Sequence, residues 1–412
     1  MMLHLRCIVC GREYPADNRL TCESCGPREG ILDVIYDYER ARRTLTPESL
    51  AARPRNHWRY RELLPIAPTT PLPPLQVGWT PLYEAPRLAR HCGVARLWIK
   101  DDGRNPTASF KDRASSVGVA KALEFGFNTV ACASTGNAAS SLAGMAASVG
   151  LRSFIFVPQR APEPKVAQLL LFGATVLRVQ GTYDQAYDLC SQAVQRYGWY
   201  NRNCAINPYL VEGKKTAGLE IGEQLADTPP DWVAVSVGDG CTIAGVWKGL
   251  LEMHKVGILT RLPRLLGVQA EGSPAVARQF AREGEPPLGN EPASTIADSI
   301  CVAVPRNWRK AVRAVRDSRG TYVTVSDDEI LEALRITPQL TGVFGEPAAV
   351  ATVAGVARAR QQNIITQHES VLVIITGNGL KDIRTASQAA GSPHDIPPTL
   401  DAVAEVCETK RT

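Results

Sequence analysis

Between residues 95 and 375 the chain alternates between two hydrophobic periods, and this alternation limits the fold more than any other feature. Short apolar, β-branched runs fall at 95–100, 129–133, 153–157, 175–179, 233–237, 265–269, 321–325 and 371–375. Between them lie stretches of helical period at 111–124, 137–149, 163–172, 182–197, 211–226, 242–254, 327–336 and 346–360. Strands separated by 10–15-residue helices form parallel sheets covered on both faces, so the expected class is α/β. Two open α/β units with a cleft between them are expected, with ligands at the carboxyl ends of the strands.

The rest of the 412-residue chain excludes several other classes. A net charge of +5 is not gathered into a basic block, and acids and aromatics interrupt the arginines at 40–61, so no nucleic-acid partner is expected. The longest uninterrupted apolar run, 371–375, suits a buried strand and not a membrane span. Residues 1–10 lack the apolar core of a signal peptide, and a cytoplasmic location is expected. The proline-rich stretch 65–74 reads as an extended arm, 31–52 as containing a helical stretch, and 391–412 as a peripheral tail.

Four of the eleven cysteines are clustered, as Cys7-x-x-Cys10-Gly11 and Cys22-x-x-Cys25-Gly26. Each reads as a knuckle whose tight turn presents backbone N–H groups to thiolates, and the pair predicts a four-cysteine zinc ribbon over 1–30. The alternative is a ribbon with reduced, empty cysteines. A closed thiolate shell leaves no open coordination position, so the expected role is structural.

Several loops between a strand and a helix carry residues suited to chemistry. Lys111 opens a helix, with Asn105-Pro106 before it and Ser109 at the expected N-cap. The positive end of the helix dipole lowers a lysine's pKa there and favours the free amine that Schiff-base formation needs. Ser134-Thr135-Gly136-Asn137 offers amides and hydroxyls to a carboxylate, or is an ordinary helix cap. Gly238-Asp239-Gly240-Cys241-Thr242 lets the backbone approach a phosphate but is neither a Walker A loop nor a dinucleotide fingerprint. The Asp239 carboxylate is expected to turn away from that phosphate. Thr376-Gly377-Asn378-Gly379-Leu380 follows the last strand.

In order and type these loops resemble those of threonine synthase and its relatives, the fold-type-II enzymes that carry pyridoxal 5'-phosphate. The stretch Asn105-Pro-Thr-Ala-Ser-Phe-Lys-Asp-Arg113 is similar to the family's Asn-Pro-Thr-Gly-Ser-Phe-Lys-Asp-Arg, except that Ala108 replaces glycine. The resemblance covers nearly the whole chain, including the Cys-rich start and Gly345-Glu346-Pro347-Ala348. It implies a tryptophan-synthase-β-like fold, with a large cofactor-binding unit at 31–112 and 206–390 and a small one at 113–205. It implies that Lys111 forms the Schiff base and acts as base and proton donor. Asn137 would bond the cofactor's phenolic oxygen, and Ser134 and Thr135 the substrate's α-carboxylate. Residues 238–242 would cradle the cofactor's phosphate, and the Thr376 hydroxyl would face the pyridine nitrogen. A hydroxyl leaves that nitrogen largely unprotonated, which favours elimination and replacement. The expected protein is a lyase, a homodimer, acting on a small amino acid.

One segment departs from the family. Where relatives read Asn-Ser-x-Asn-Pro-x-Arg and grip the phosphate of O-phosphohomoserine, this chain has Cys204-Ala205-Ile206-Asn207-Pro208-Tyr209-Leu210. Charge-assisted bonds contribute about 1.5–3 kcal/mol each, so the lost arginine and two polar groups predict an apolar lining and an altered substrate. The alternative is a relocated cation, Lys214, four residues beyond Leu210. Three readings follow: the family reaction giving threonine, elimination or replacement on a substrate without that phosphate, and a catalytically silent homologue.

Overall fold

The computed structural model describes residues 2–159, 161, 163–203, 206–282 and 292–409. Chain order runs β1 (Met2–Cys7), β2 (Glu13–Tyr14), β3 (Leu32–Tyr36), β4 (Leu82–Glu84) and β5 (Arg96–Asp101). It continues with β6 (Thr129–Ala133), β7 (Arg152–Pro158), β8 (Thr175–Val179) and β9 (Tyr200–Asn201). It closes with β10 (Trp232–Ser236), β11 (Arg264–Ala270), β12 (Thr321–Val325) and β13 (Ser370–Ile375). The strands form three sheets, β2-β1-β3, β12-β11-β10-β13-β5-β4 and β8-β7-β6-β9. The four-stranded sheet is parallel throughout. In the six-stranded one only the edge strand β4 runs antiparallel.

The continuous apolar runs have a simple cause. In the six-stranded sheet Leu97, Ala234, Val268 and Val373 point to one face and pack with helix Pro347–Gln361. Their neighbours Trp98, Val235, Leu265 and Leu372 point to the other and pack with helices Pro208–Gln224 and Cys241–Lys255. Side chains alternate along a strand, so a sheet buried on both faces needs apolar residues at every position.

The N-terminal sheet is docked on helix 208–224. Tyr209 is buried among Leu5, Tyr14, Leu32, Val34 and Tyr36, and its hydroxyl donates to the Asp17 carbonyl. Tyr36 Oη donates to Glu212 Oε2 at 2.8 Å. Glu212 also meets Lys248 at 2.6 Å, and Lys248 reaches back to Asp33 at 2.9 Å. Lys215, fully buried, pairs with both Glu212 and Glu252.

Local differences from the sequence expectations have local reasons. Helix 208–224 starts earlier than 211 because Asn207 caps it and Pro208 takes its first turn, where a missing N–H costs nothing. Residues 31–52 hold β3 and two short helices, Tyr38–Thr44 and Pro47–Ala51, capped by Asp37 and Thr46. Ser109 is not the cap of the Lys111 helix: Phe110 holds that position, no side chain caps it, and Ser109 Oγ is buried without a partner. Helices Pro86–Cys92 and Trp308–Asp317 were not expected from periodicity. The tail carries a helix, Leu400–Thr409, beyond residue 391. Among the described residues no helix is long and apolar enough to cross a membrane.

Candidate active site

Lys111 begins helix Lys111–Glu124, and its neighbours in sequence fix where that helix starts. Asn105 Oδ1 accepts from Gly78 N at 3.0 Å, and its amide donates to Asp102 O at 3.0 Å. Asp112 accepts from both the amide and the hydroxyl of Thr107, at 2.7 and 2.5 Å. Arg113, fully buried, is clamped between two carboxylates, Asp102 at 2.6 Å and Glu220 at 2.6 Å. Phe110 N donates to Thr376 O at 2.8 Å, which ties the lysine to the loop after β13. Ala108 has φ +62°, the left-handed conformation that suits the glycine of the resembling motif.

A cavity of about 480 Å³ opens at the carboxyl ends of β6, β10 and β13, between the two parallel sheets. Lys111, Ser134, Thr135, Asn137, Lys214, Gly238, Asp239, Gly240, Cys241, Thr242 and Thr376 all border it. These residues, scattered over the sequence, meet at one cavity, whereas Leu210 of the expected substrate lining is not among those that border it, and Cys204 and Ala205 lie outside the described residues. The segment 238–242 turns into helix 241–255 through Gly240, at φ +89°, where a side chain would meet Ala311 and the Asn307 carbonyl. No side chain caps that helix, whose first residues Cys241 and Thr242 border the cavity. The Asp239 carboxylate accepts from the Arg306 backbone amide at 3.1 Å. The same holds at Asn137, where no side chain caps helix Asn137–Ser148.

Charged residues at the site that were not anticipated include Arg202, Arg306 and Glu346. Arg202, just past β9, borders the cavity while buried, and its Nε and Nη2 donate to Ser115 Oγ at 3.1 and 3.0 Å. Ser115 lies one turn beyond Lys111 on the same helix face, so the guanidinium sits close behind the lysine. Arg306 borders the cavity from the other side with its guanidinium 4.3 Å from the centre of the Tyr187 ring. Glu346 accepts from the Asn137 amide; its place in Gly345-Glu346-Pro347 was visible in the sequence, but nothing there assigned it a partner. Leu210, expected to line the substrate site, instead packs against Gly118 and does not border the cavity. Cys204 and Ala205, expected beside it, lie outside the described residues.

Residues 74–377 match the family model described as "Pyridoxal-phosphate dependent enzyme". The chain is 40% identical over 409 residues to a threonine synthase of Methanosarcina acetivorans, covering 98% of each chain. The chain belongs to the threonine synthase family of pyridoxal-phosphate-dependent enzymes. A threonine synthase of Methanocaldococcus jannaschii is 38% identical over 393 residues, covering 95% of this chain and 96% of that one. Among solved structures, the processed form of threonine deaminase isoform 2 from Solanum lycopersicum aligns with a TM-score of 0.65 at 23% identity, covering 76% of this chain and 88% of that chain. Maize serine racemase aligns with a TM-score of 0.63 at 19% identity, over 81% and 94%. These likenesses bear on fold alone, and it is the fold-type-II architecture.

The residues present suit this family's cofactor: an amine for its aldehyde, a helix start at a glycine turn for its phosphate, and a hydroxyl at Thr376. In the N-terminal sheet region Cys7, Cys10, Cys22 and Cys25 bring their sulfurs within 4.8 Å of one another. Zn–S bonds of about 2.3 Å place the sulfurs of a tetrahedral site ~3.8 Å apart, so the cluster has the dimensions to hold a metal ion. Burial opposes ionisation of Cys22, but the Tyr14 hydroxyl and the Cys25 and Ser24 amides hold its thiol down to about 6.

Proposed function

We propose that this lyase catalyses the family reaction, elimination of phosphate from O-phosphohomoserine followed by water addition to give threonine. The observation that supports it most is that one cavity gathers Lys111, the carboxylate loop at Ser134 and Thr135, the glycine cradle and further cations, Arg202, Lys214 and Arg306. Bound pyridoxal phosphate supplies an electron sink in conjugation with the substrate's amino group. The remaining work falls to side chains.

In this reading Lys111 removes the proton from Cα and later returns one. Ser134 and Thr135, with the amides of helix 137–148, hold the α-carboxylate. Asn137 bonds the cofactor's phenolic oxygen, residues Gly238 to Thr242 its phosphate, and Thr376 its pyridine nitrogen. Lys214 and Arg202 hold the substrate's phosphate in place of the family's arginine. We assign 31–112 with 206–390 to the cofactor unit and 113–205 to the smaller unit that faces it. The four clustered cysteines hold a structural zinc ion.

The site's electrostatics favour a phosphorylated substrate over a neutral one. An apolar lining was expected from Leu210, yet that side chain faces Gly118, and Arg202, Lys214 and Arg306 border the cavity instead. The test has two parts. Borohydride reduction of the purified protein should fix the cofactor to Lys111, read by peptide mass spectrometry. Turnover should then be compared for O-phosphohomoserine, homoserine, serine, threonine and O-acyl homoserine. A label on another lysine, or preference for an O-acyl substrate, would overturn the reading.

A further inference from the structure

Glu346 stands where three loops of the site meet. Its side chain is buried, with the residue 5% exposed, and both carboxylate oxygens accept from Asn137 Nδ2, at 2.9 and 3.0 Å. A side chain added at Gly377 would collide with this carboxylate, so Glu346 lies directly against the glycine after Thr376. Its amide donates to Gly377 O at 2.9 Å. The same loop returns to the lysine segment, because Asn378 N donates to Ala108 O at 3.0 Å. One carboxylate thus touches the Asn137 and Thr376 loops directly, and the Lys111 loop through one backbone bond.

A side-chain amide has a donor end and an acceptor end, whereas an ionised carboxylate only accepts. While Glu346 is ionised it holds the Nδ2 end of Asn137, and this decides which way the rest of the amide faces. A protonated Glu346 becomes a donor and is matched by the Oδ1 end instead, so the amide is free to turn over. We propose that Glu346 is a positioning residue whose ionised carboxylate fixes the orientation of the Asn137 amide, and with it the donor that Asn137 offers to pyridoxal phosphate. This rests on the assignment of Asn137 to the cofactor made above.

The surroundings make this carboxylate's proton a matter of balance. Burial pushes the Glu346 carboxyl above its ordinary range, opposed by the Asn137 bond and by the charges of Lys111, Lys381 and Lys165. Lys165, from helix 163–171, is shared with Asp298 at 2.7 Å. Lys381 donates to Ser140 and Gln168 at 3.0 and 3.2 Å. Asp382 beside it accepts from Thr385 N at 3.1 Å, and Ser299 stands 3.5 Å from the Asn137 amide. The carboxylate form is therefore lost as pH falls through a raised pKa, starting above the usual carboxylate range.

The experiment measures the Kd of pyridoxal phosphate for apo-protein against pH, by equilibrium dialysis and visible absorbance. It compares wild type, Glu346→Gln and Asn137→Ala, each shown folded by circular dichroism. Glutamine keeps the shape and satisfies either end of the amide without titrating. Below the carboxyl's pKa the ionised fraction falls tenfold per pH unit, so wild-type Kd should rise by up to about that factor per unit and level off near the Asn137→Ala value. The cofactor's own phosphate titrates in all three proteins and cancels in the comparison. Glu346→Gln should lack the step. Asn137→Ala should lack it too, at a uniformly weaker affinity, and carries the test alone if the glutamine variant does not fold. Superimposable curves for wild type and Glu346→Gln would overturn the proposal, as would a step that survives in Asn137→Ala. A folded Glu346→Gln that takes up no cofactor at any pH would also overturn it, since the carboxylate would then be a binding group. A borohydride label still on Lys111 alongside any of these failures leaves the functional reading standing.

Discussion

Gly213 and Arg113 meet backbone to backbone: a methyl group at 213 would overlap the Arg113 carbonyl oxygen. Helices 111–124 and 208–224 touch at this point, which sets Lys214 beside the first turns of the helix that Lys111 begins. Replacing Gly213 with alanine should cost about 3 kcal/mol by forcing the helices apart. Denaturant unfolding should show the loss, and a variant of wild-type stability would mean that the approach is looser than described.

Ala108 gives the opposite sign. It holds φ +62°, a conformation that costs an alanine roughly 1 kcal/mol, while its carbonyl is committed to Asn378 N. Ala108→Gly removes that strain but adds freedom to the unfolded chain, so the net gain should be about 0.5 kcal/mol. Thermal unfolding would detect it, and a clear loss would contradict the left-handed assignment.

Arg202 and Lys214 should act on one class of substrate. Truncating either, as Arg202→Gln or Lys214→Met, removes a charge-assisted bond worth about 1.5–3 kcal/mol. For O-phosphohomoserine kcat/KM should fall roughly tenfold to a hundredfold. Any residual turnover of homoserine should not change. Equal losses on both substrates would show that these residues support the fold and do not read the phosphate.

Metal analysis of protein purified under reducing conditions, without chelator, should find about one zinc per chain. Cys22→Ser should abolish it and lower the melting temperature, because metal bound to a closed thiolate site contributes folding energy. Zinc retained in that variant would place the metal elsewhere.

His57 predicts a pH dependence of stability. Burial, with the Arg113 charge adding to it, depresses its pKa to about 3 from an unfolded value near 6.5. The neutral ring is buried 3.2 Å from Ser116 Oγ, so the unfolded chain binds the proton first as pH falls. Its contribution is complete above pH ~6.5 and is lost at about 1.4 kcal/mol per unit down towards pH 3. His57→Gln should flatten unfolding free energy over that window, and an unchanged slope would remove His57 as its source.

The sheets were legible because burial on both faces writes itself into uninterrupted apolar runs such as 371–375. The site was legible because its parts are strand-end loops, each a contiguous string. What did not show was whatever depends on a partner distant in sequence. Arg202 reads as an unremarkable basic residue until Ser115 is folded beside it, and Leu210 as a lost ligand until Gly118 is seen to receive it. Ser109 was misplaced by one position because hydroxyl-before-helix is a local rule, while the helix start here is fixed by the Phe110–Thr376 backbone bond.

The docking of the N-terminal sheet on helix 208–224 also has a consequence in time. The Tyr36–Glu212 bond joins residues 176 apart in the chain, so on the ribosome the cysteine knuckles emerge long before the surface that receives them. Until Tyr209, Glu212 and Lys248 have been made, Asp33 and Tyr36 lack the ion pair, the hydrogen bond and the ring that these residues bring to the folded sheet. The first part of the chain to be synthesised is thus among the last to settle, and closing so long a loop delays the final assembly without weakening it much.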